Sequence, residues 1–208
     1  MRLEACLVAV CLFFPAAAAA GPSPSGVMGN INTPSADVLR PGQVAAGVYG
    51  VQHGVVAQVA AAPLSGVELG IAWLPQGDGL AAATRLDVKT SLLAEAIMLP
   101  GVVFGVEDVT DERERSPYMA VSKTGPLGFR LHLGVGGGRF DGAFATLEKT
   151  FRPSRHRQAK KFAPTTLLLE YDGRDFNYGV RAEVGKGVKL EGGYRQQEQW
   201  YVGLSVMK

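Results

Sequence analysis

The sequence predicts an all-β protein, an antiparallel up-and-down meander of about 10–12 strands closed as a membrane-type β-barrel. Apolar and polar residues alternate over long stretches, the links between these stretches are short, and no cysteine follows residue 11. In the clearest stretch, Phe129, Leu131 and Leu133 fall on one face, and Arg130 and His132 fall on the other. A period of two residues is that of a β-strand with one apolar and one polar face.

Twelve strands are expected from this alternation, with boundaries uncertain by about two to four residues. In chain order they are Gln43–Val51, Val55–Ala62, Val67–Leu74, Ala82–Leu93, Ile97–Glu107, Pro117–Lys123, Leu127–Gly136, Ala143–Phe151, Thr165–Asp172, Phe176–Val184, Val188–Arg195 and Gln199–Val206. Links such as Gly125-Pro126 and Gly185-Lys186-Gly187 have turn chemistry, which makes successive strands antiparallel neighbours. Closure into a barrel would remove the two outer edges of such a meander.

Four predicted connections are longer, namely Pro75–Leu80, Val109–Ser116, Gly136–Gly142 and Arg152–Pro164. The first three lie at one end of the meander, which matches the long outer loops of outer-membrane barrels. The fourth, strongly basic connection lies at the short-turn end, so either the strand count is wrong by one or that end has one long loop. Its cations form a candidate anion-binding loop for lipid head groups or acidic polysaccharide, or else a solvated charge run: Arg152, Arg155, Arg157, Lys160 and Lys161.

Residues 1–20 have the organisation of a secretory signal peptide, with Arg2 ahead of an apolar core and a run of alanines behind it. Export to the outer membrane or cell envelope is therefore expected. Both cysteines lie in this segment, so the exported chain would contain no disulfide. Residues 21–42 are predicted to be an N-terminal linker or clasp, and residues 43–208 the barrel domain.

The polar faces of the predicted strands contain charges of both signs, with glycines between them. In a membrane barrel they would face the lumen and form ion pairs, because an unpaired buried charge is costly. The predicted lumen charge network comprises Arg85, Asp87, Lys89, Glu107, Arg130, Glu148, Glu170, Arg181, Glu183, Lys189 and Glu191.

The opposite, apolar faces would then contact membrane lipid. Aromatic residues near the predicted strand ends are candidates for an interfacial girdle: Trp73, Tyr118, Tyr171, Tyr178, Tyr194, Trp200 and Tyr201. The alternation is equally compatible with a soluble secreted β-barrel that binds a small apolar ligand, since inverting the barrel leaves the pattern unchanged. That class is kept as the alternative.

Four short segments resemble those of YjbH-domain proteins. They are Gly29–Asp37 followed by Pro41-Gly42, Gly105–Val109, Tyr118–Lys123, and a hairpin over Leu167–Arg181 with an Asp-Gly turn. The resemblance implies an outer-membrane barrel-type protein associated with exopolysaccharide production or export. It provides no catalytic motif to carry over.

Little in the sequence points to catalysis. Glu107 with Asp108, or Glu170 with Asp172, could be compared with a glycosidase carboxylate pair, but a lumen charge ladder explains them better. A non-enzymatic module is expected, and a carbohydrate-active enzyme is a weaker alternative. No metal or other cofactor is expected, because the histidines lack ligand spacing.

The net charge of +2 excludes a nucleic-acid binder on charge alone. Membrane lipid is the expected partner, with polysaccharide or export machinery as candidates. The oligomeric state is not predicted.

Overall fold

The computed structural model describes residues 21–77, 79–152, 162–195 and 199–208. Within them, two short strands, β1 (Gly21–Pro22) and β2 (Met28–Gly29), pair with each other. Twelve longer strands follow: β3 (Val44–Val51), β4 (Gly54–Leu64), β5 (Val67–Leu74), β6 (Ala83–Leu93), β7 (Gly101–Glu107), β8 (Ser116–Thr124), β9 (Phe129–Gly136), β10 (Gly142–Phe151), β11 (Thr165–Tyr171), β12 (Phe176–Gly185), β13 (Val188–Arg195) and β14 (Gln199–Met207).

These twelve strands form a closed antiparallel barrel. Each strand pairs with its neighbours in sequence, and β14 pairs with β3 from Tyr201 opposite Val51 to Met207 opposite Ala45. Closure gives both edge strands a partner, as the meander required. The predicted fold class is therefore confirmed. Two 3-10 turns, Pro126–Gly128 and Gly138–Phe140, complete the regular structure of the described residues.

Among the described residues, no helix is long and apolar enough to cross a membrane. The predicted signal peptide, residues 1–20, lies outside the described residues.

Two predicted strand starts are wrong. The strand expected from Leu127 begins at Phe129, because Leu127 lies in a 3-10 turn with a φ of 57°. The strand expected from Ile97 begins at Gly101, since residues 94–100 form a connection. In the second case Pro100, inside the predicted strand, lacks the N–H that a strand ladder needs.

The apolar face of the barrel points outward. Leu131, Leu133 and Val135 of β9 are about half exposed, whereas His132 between them is fully buried. The same alternation of exposed and buried residues runs along β11 and β14. The barrel is thus polar inside and apolar outside, as the membrane interpretation predicts.

The two ends of the barrel differ in their connections. We call the end where β3 begins and β14 finishes the terminal end, and the opposite end the vestibule end. The connections 75–82, 108–115, 137–141 and 172–175 lie at the vestibule end. With twelve strands, the connection between Phe151 and Thr165 lies at the terminal end, together with the 94–100 connection, so the strand count was right and that end has long connections as well.

The interior is filled by the segment that precedes the first barrel strand. Residues 21–39, which we call the plug, run through the lumen, and all of residues 21–35 are buried. Met28 and Leu39 of the plug pack against Ala60 and Ala62 of β4. The small alanines that weaken the alternation of β4 are thus the ones that leave room for the plug.

Glycines on the inner wall serve the same purpose. A Cβ at Gly70 would lie 2.7 Å from the carbonyl oxygen of Gly26 in the plug. At Gly134 it would lie 2.1 Å from the ring of Phe144, which lies across the neighbouring strand. At both positions a larger residue would force either the plug or an interior ring to move.

Most of the predicted girdle aromatics lie outside the barrel near the vestibule end, where Trp73, Tyr178 and Trp200 are about half exposed. Outward aromatics in this position suit a membrane–water interface. The prediction is wrong for Tyr118 and Tyr201, since both are buried inside the lumen. Each alternates with the outward residues of its strand, and therefore points inward although it lies near a strand end.

Candidate functional site

The buried charges of the lumen form several groups, most of which contact the plug. At the vestibule end, the Nε atom of Arg85 lies 3.0 Å from Oδ1 of Asp87, and its guanidinium lies 3.4 Å from Glu107. Arg139 donates to the same Glu107 carboxylate at 2.6 Å. Arg139 also donates to the plug carbonyl of Asn32 at 2.6 Å, so this group connects the wall to the plug.

Nearer the terminal end, two wall residues of opposite charge, Glu68 and Lys89, both bind the backbone of the plug. The carboxylate of Glu68 accepts the backbone N–H groups of Met28 at 2.6 Å and Leu39 at 3.0 Å. Lys89 lies 3.7 Å from Glu68 and donates to the carbonyl of Met28 at 2.7 Å. Both side chains are fully buried, so each needs these partners to offset its desolvation.

Glu170 binds a turn of the plug backbone. Its carboxylate accepts the N–H groups of Ile31 at 3.0 Å, Asn32 at 2.8 Å and Thr33 at 3.1 Å. The Thr33 hydroxyl adds a further donor at 2.8 Å, and Asn177 on β12 donates to the other oxygen. Successive backbone N–H groups converge on a carboxylate here as they do in anion-binding nests.

Arg181 binds the plug through its carbonyls. Its guanidinium donates to the carbonyl oxygens of Asn30 at 3.0 Å and Gly29 at 3.3 Å. It also pairs with Glu191, and lies 3.8 Å from Glu148. The charges of the wall thus match the backbone dipoles of the plug, since carboxylates face N–H groups and cations face carbonyls.

Arg130 closes the terminal end. It pairs with Asp37 of the plug through two hydrogen bonds and with Glu95 of the 94–100 connection at 2.8 Å. Burial alone would raise the pKa of Asp37, but the charge and hydrogen bonds of Arg130 outweigh it and hold that pKa well below its usual range. Asp37 therefore stays ionised.

Two of the remaining predicted residues lie near the terminal end, where Lys189 is close to Gly21 of the plug. Glu183 is exposed at the terminal end of β12, and Lys189 opposite it on β13 is partly buried. Arg152 of the predicted anion-binding loop is exposed. Arg155, Arg157, Lys160 and Lys161 lie outside the described residues, so this loop stays a prediction.

Three residues that bind the plug or the lumen network were missing from the prediction: Asp37, Glu95 and Arg139. They lie in connections or in the plug, where no alternation marks the inward direction. Glu68, by contrast, lies on the polar face of an alternating strand, which predicts its inward direction.

A cavity of about 540 Å³ opens above the plug at the vestibule end, and we call it the vestibule. Pro24, Ser25 and Asn32 of the plug line it from below. Its walls carry five arginines together with the acidic residues Asp108 and Glu114; the arginines are Arg85, Arg113, Arg139, Arg174 and Arg195.

Asp108 organises the loop that supplies one of these arginines. Its carboxylate accepts the backbone N–H groups of Arg113 at 2.7 Å, Glu112 at 3.0 Å and Glu114 at 3.0 Å. Burial would raise the pKa of Asp108, but these hydrogen bonds lower it below the usual value. Arg113 then donates to the carbonyl of Pro75 at 2.6 Å, which ties two connections together.

The candidate catalytic carboxylates are engaged in structural contacts. Glu170 is fully buried against the plug, and Asp172 accepts from Asn32 and Asn177, each at 2.9 Å. Glu107 is held by Arg85 and Arg139. Within the described ranges, no group of three or more histidine, cysteine, aspartate or glutamate side chains is arranged to hold a metal.

These features define a class of protein, a membrane-type β-barrel whose lumen is filled by its own N-terminal segment. Residues 23–166 match the YjbH family, described as "Exopolysaccharide biosynthesis protein YbjH". The match covers more than half of the chain, so the protein belongs to this family. None of the curated proteins matches the chain.

Two solved structures have a similar fold. One is a "KdgM porin in complex with disordered oligogalacturonate", with a TM-score of 0.54 and 13% identity. The other is a "KdgM porin", with a TM-score of 0.53 and 13% identity. Each alignment covers 79% of this chain and 97% of the porin. At this identity the likeness shows the shared fold, and with the family match it confirms an outer-membrane-type barrel associated with exopolysaccharide.

Proposed function

We propose that this protein is a non-enzymatic barrel of the outer membrane that is closed at rest by its plug and serves exopolysaccharide export as a gated passage or docking element. The observation that carries the proposal is that the charged side chains of the lumen bind the plug. Glu68, Lys89, Glu170 and Arg181 all bind backbone groups of the plug.

The plug is held firmly but by replaceable contacts. A twelve-strand barrel encloses more space than its own side chains fill, so an occupant is needed to close it. Each hydrogen bond to a charged group contributes roughly 1.5–3 kcal/mol, and each can be exchanged for water or for another polar ligand. The plug contains no disulfide, since residues 21–39 include no cysteine. These properties suit a reversible closure.

Further observations support the outer-membrane location and the saccharide role. The outward apolar face and the aromatics near the vestibule end suit a bilayer, and the porin likeness favours the outer membrane as its location. The printed description of one of these porins names an oligogalacturonate complex, which supports a saccharide as the material handled here. The engagement of Glu170 and Asp172 in plug contacts favours transport or docking over hydrolysis.

Conductance across a planar lipid bilayer tests the closure. We expect the exported chain to conduct little, and a Glu68→Gln/Glu170→Gln variant to open more often because two anchors of the plug are weakened. Glu183→Gln, an exposed glutamate of the same barrel, is the matched control and should behave as the parent does. A parent barrel as conductive as the double variant would refute closure by the plug.

Deletion of the gene tests the biological role. Without the gene, surface exopolysaccharide should fall. In cells that keep the gene, membrane fractionation should recover the protein with the outer membrane. Unchanged exopolysaccharide, or a protein that remains soluble after export, would contradict the proposed function.

A further inference from the structure

We propose that the vestibule is a binding site for an acidic polysaccharide chain, one whose sugars carry carboxylates. This inference rests on the proposed function and goes beyond it by naming the ligand class and the place where it binds. The site lies at the opposite end of the barrel from the basic connection between β10 and β11.

The charge of the vestibule favours an anion. Five arginines face two acidic residues among the lining side chains that the structure describes. Asp87 and Glu107 neutralise part of this charge deep in the wall, through Arg85 and Arg139. Asp108 is turned toward the backbone of its own loop, where three N–H groups hold it. Among the described lining residues, guanidinium groups therefore outnumber carboxylates.

Two arginines of the vestibule are placed to meet a ligand. The side chain of Arg174 is 53% exposed, and its Nε atom lies 4.0 Å from an acidic oxygen of Asp141. Arg195 reaches the floor of the vestibule, where it lies 3.4 Å from the side-chain oxygen of Asn32. A guanidinium binds a carboxylate with two parallel hydrogen bonds, which makes arginine the suitable cation for a uronate sugar.

The shape of the cavity suits a saccharide. Its volume of about 540 Å³ falls within the roughly 300–1,000 Å³ of ligand sites. Apolar side chains, including Val56, Leu74 and Leu80, share the lining with the arginines, so both the ring faces and the acidic groups of a sugar chain find partners. The walls have a low dielectric constant, which concentrates the field of the arginines inside the cavity.

The position of the cavity excludes the surrounding lipid as its occupant. The vestibule lies inside the ring of strands, above the plug, whereas lipid head groups lie outside that ring. A ligand in it would touch the plug at Asn32, whose carbonyl accepts from Arg139. An acidic chain bound here would compete with the plug for the same guanidinium.

Calorimetric titration of the purified full barrel in detergent tests the proposal, with short oligogalacturonate as the probe. We expect saturable binding that weakens as salt is added, and no binding of a neutral maltooligosaccharide of equal length. Arg174→Gln/Arg195→Gln should weaken binding roughly tenfold or more, because each lost charged hydrogen bond is worth roughly that factor.

The matched control is Arg115→Gln. Arg115 is an exposed arginine at the same end that bonds the carbonyl of Val109 and does not line the vestibule. Its loss should leave the affinity unchanged. Arg174→Gln alone, which removes a largely exposed side chain, serves if the double variant fails to show the heat-modifiable mobility of a folded barrel.

Three outcomes would overturn the proposal: equal binding of the neutral oligosaccharide, an unchanged affinity in the Arg174 and Arg195 variants, or a loss of binding in Arg152→Gln, which would place the ligand at the terminal end. Because binding is measured on purified protein, the binding result does not depend on the outcome of the gene deletion that tests the proposed function. A deletion that lowers exopolysaccharide together with a vestibule that fails to bind would refute the ligand site alone.

Discussion

At the scale of single residues, the decisive feature is the pairing of buried wall charges with backbone groups of the plug. Both carboxylate oxygens of Glu170 accept hydrogen bonds from plug N–H groups, and the guanidinium of Arg181 donates to a plug carbonyl. A buried charge without such partners would cost several kcal/mol, as estimated for ions in proteins. The plug therefore stabilises the barrel that encloses it, and the two are expected to fold as one unit.

Replacement of Glu170 by glutamine tests this mutual dependence. The amide keeps one acceptor oxygen but points an N–H₂ group at plug donors, so we expect a loss of roughly 2 kcal/mol, the scale of a charged hydrogen bond left unmade. The midpoint of urea unfolding in lipid vesicles should fall, and protease should cut residues 21–39 sooner. Glu183→Gln, exposed at the rim, should leave both measurements unchanged. Equal behaviour of the two variants would show that Glu170 does not anchor the plug.

At the scale of elements, the plug is buried although it has little secondary structure of its own. β1 and β2 contain two residues each, and the turn between Asn30 and Thr33 is closed by one backbone hydrogen bond of 2.8 Å. Other backbone groups of the plug, among them the N–H groups of Met28, Asn32 and Leu39, bind the barrel wall. Few hydrogen bonds within the plug hold its conformation. That conformation therefore depends on contacts with the wall, which changes of charge and pH can alter.

Acidification is expected to loosen the terminal end of the plug. The pKa of Asp37 is depressed in the folded protein by Arg130, so the pair stabilises the plug above the ordinary aspartate value of 3.8. That stabilisation is lost as the pH falls below this value toward the folded pKa.

The measurement is plug release against pH, followed by a fluorophore attached near residue 37. Asp37→Asn should release the plug more readily at neutral pH and should lack the part of the acid response that the parent shows. Because other carboxylates titrate in the same range, the difference between the two curves is the quantity compared. Curves that run parallel down to the lowest pH would contradict the role of the pair.

At the scale of the whole molecule, the barrel presents an apolar belt to its surroundings and keeps its charges inside. Outward residues of β9, β11 and β14 are about half exposed, as lipid-facing side chains of a barrel are when no lipid is present. The aromatics near the vestibule end mark one membrane interface. The loops of the vestibule would then lie outside the bilayer, where a polymer can reach them.

A charge placed in the belt tests this embedding. Leu133 lies near the middle of β9 and points outward, so Leu133→Arg should cost roughly 2–4 kcal/mol, the value for arginine at the bilayer midplane. Leu127→Arg is the matched control, because Leu127 is largely exposed in a turn at the rim. Folding into lipid vesicles, followed by heat-modifiable mobility on gels, should be impaired in the first variant and preserved in the second. Similar folding of both would argue against a membrane belt at Leu133.

The sequence by itself determined the strands to within a few residues, their approximate number and the residues that share a face, because a period of two is set by local backbone geometry. It also placed Arg85, Glu107 and Arg181 on one polar face. Two predicted strand starts were wrong, one at Pro100 inside the predicted strand and one at Leu127, whose backbone is left-handed.

The tertiary structure decided which face is inside, since alternation is unchanged when a barrel is inverted. It also decided what fills the lumen, because the contacts of Glu68 with Met28 and of Glu170 with Asn32 join residues far apart in sequence. Charges in connections, such as Arg139, have no alternation to aim them and find their partners when the barrel closes. Local geometry thus fixes the strands, whereas the plug and the vestibule exist only where distant segments meet.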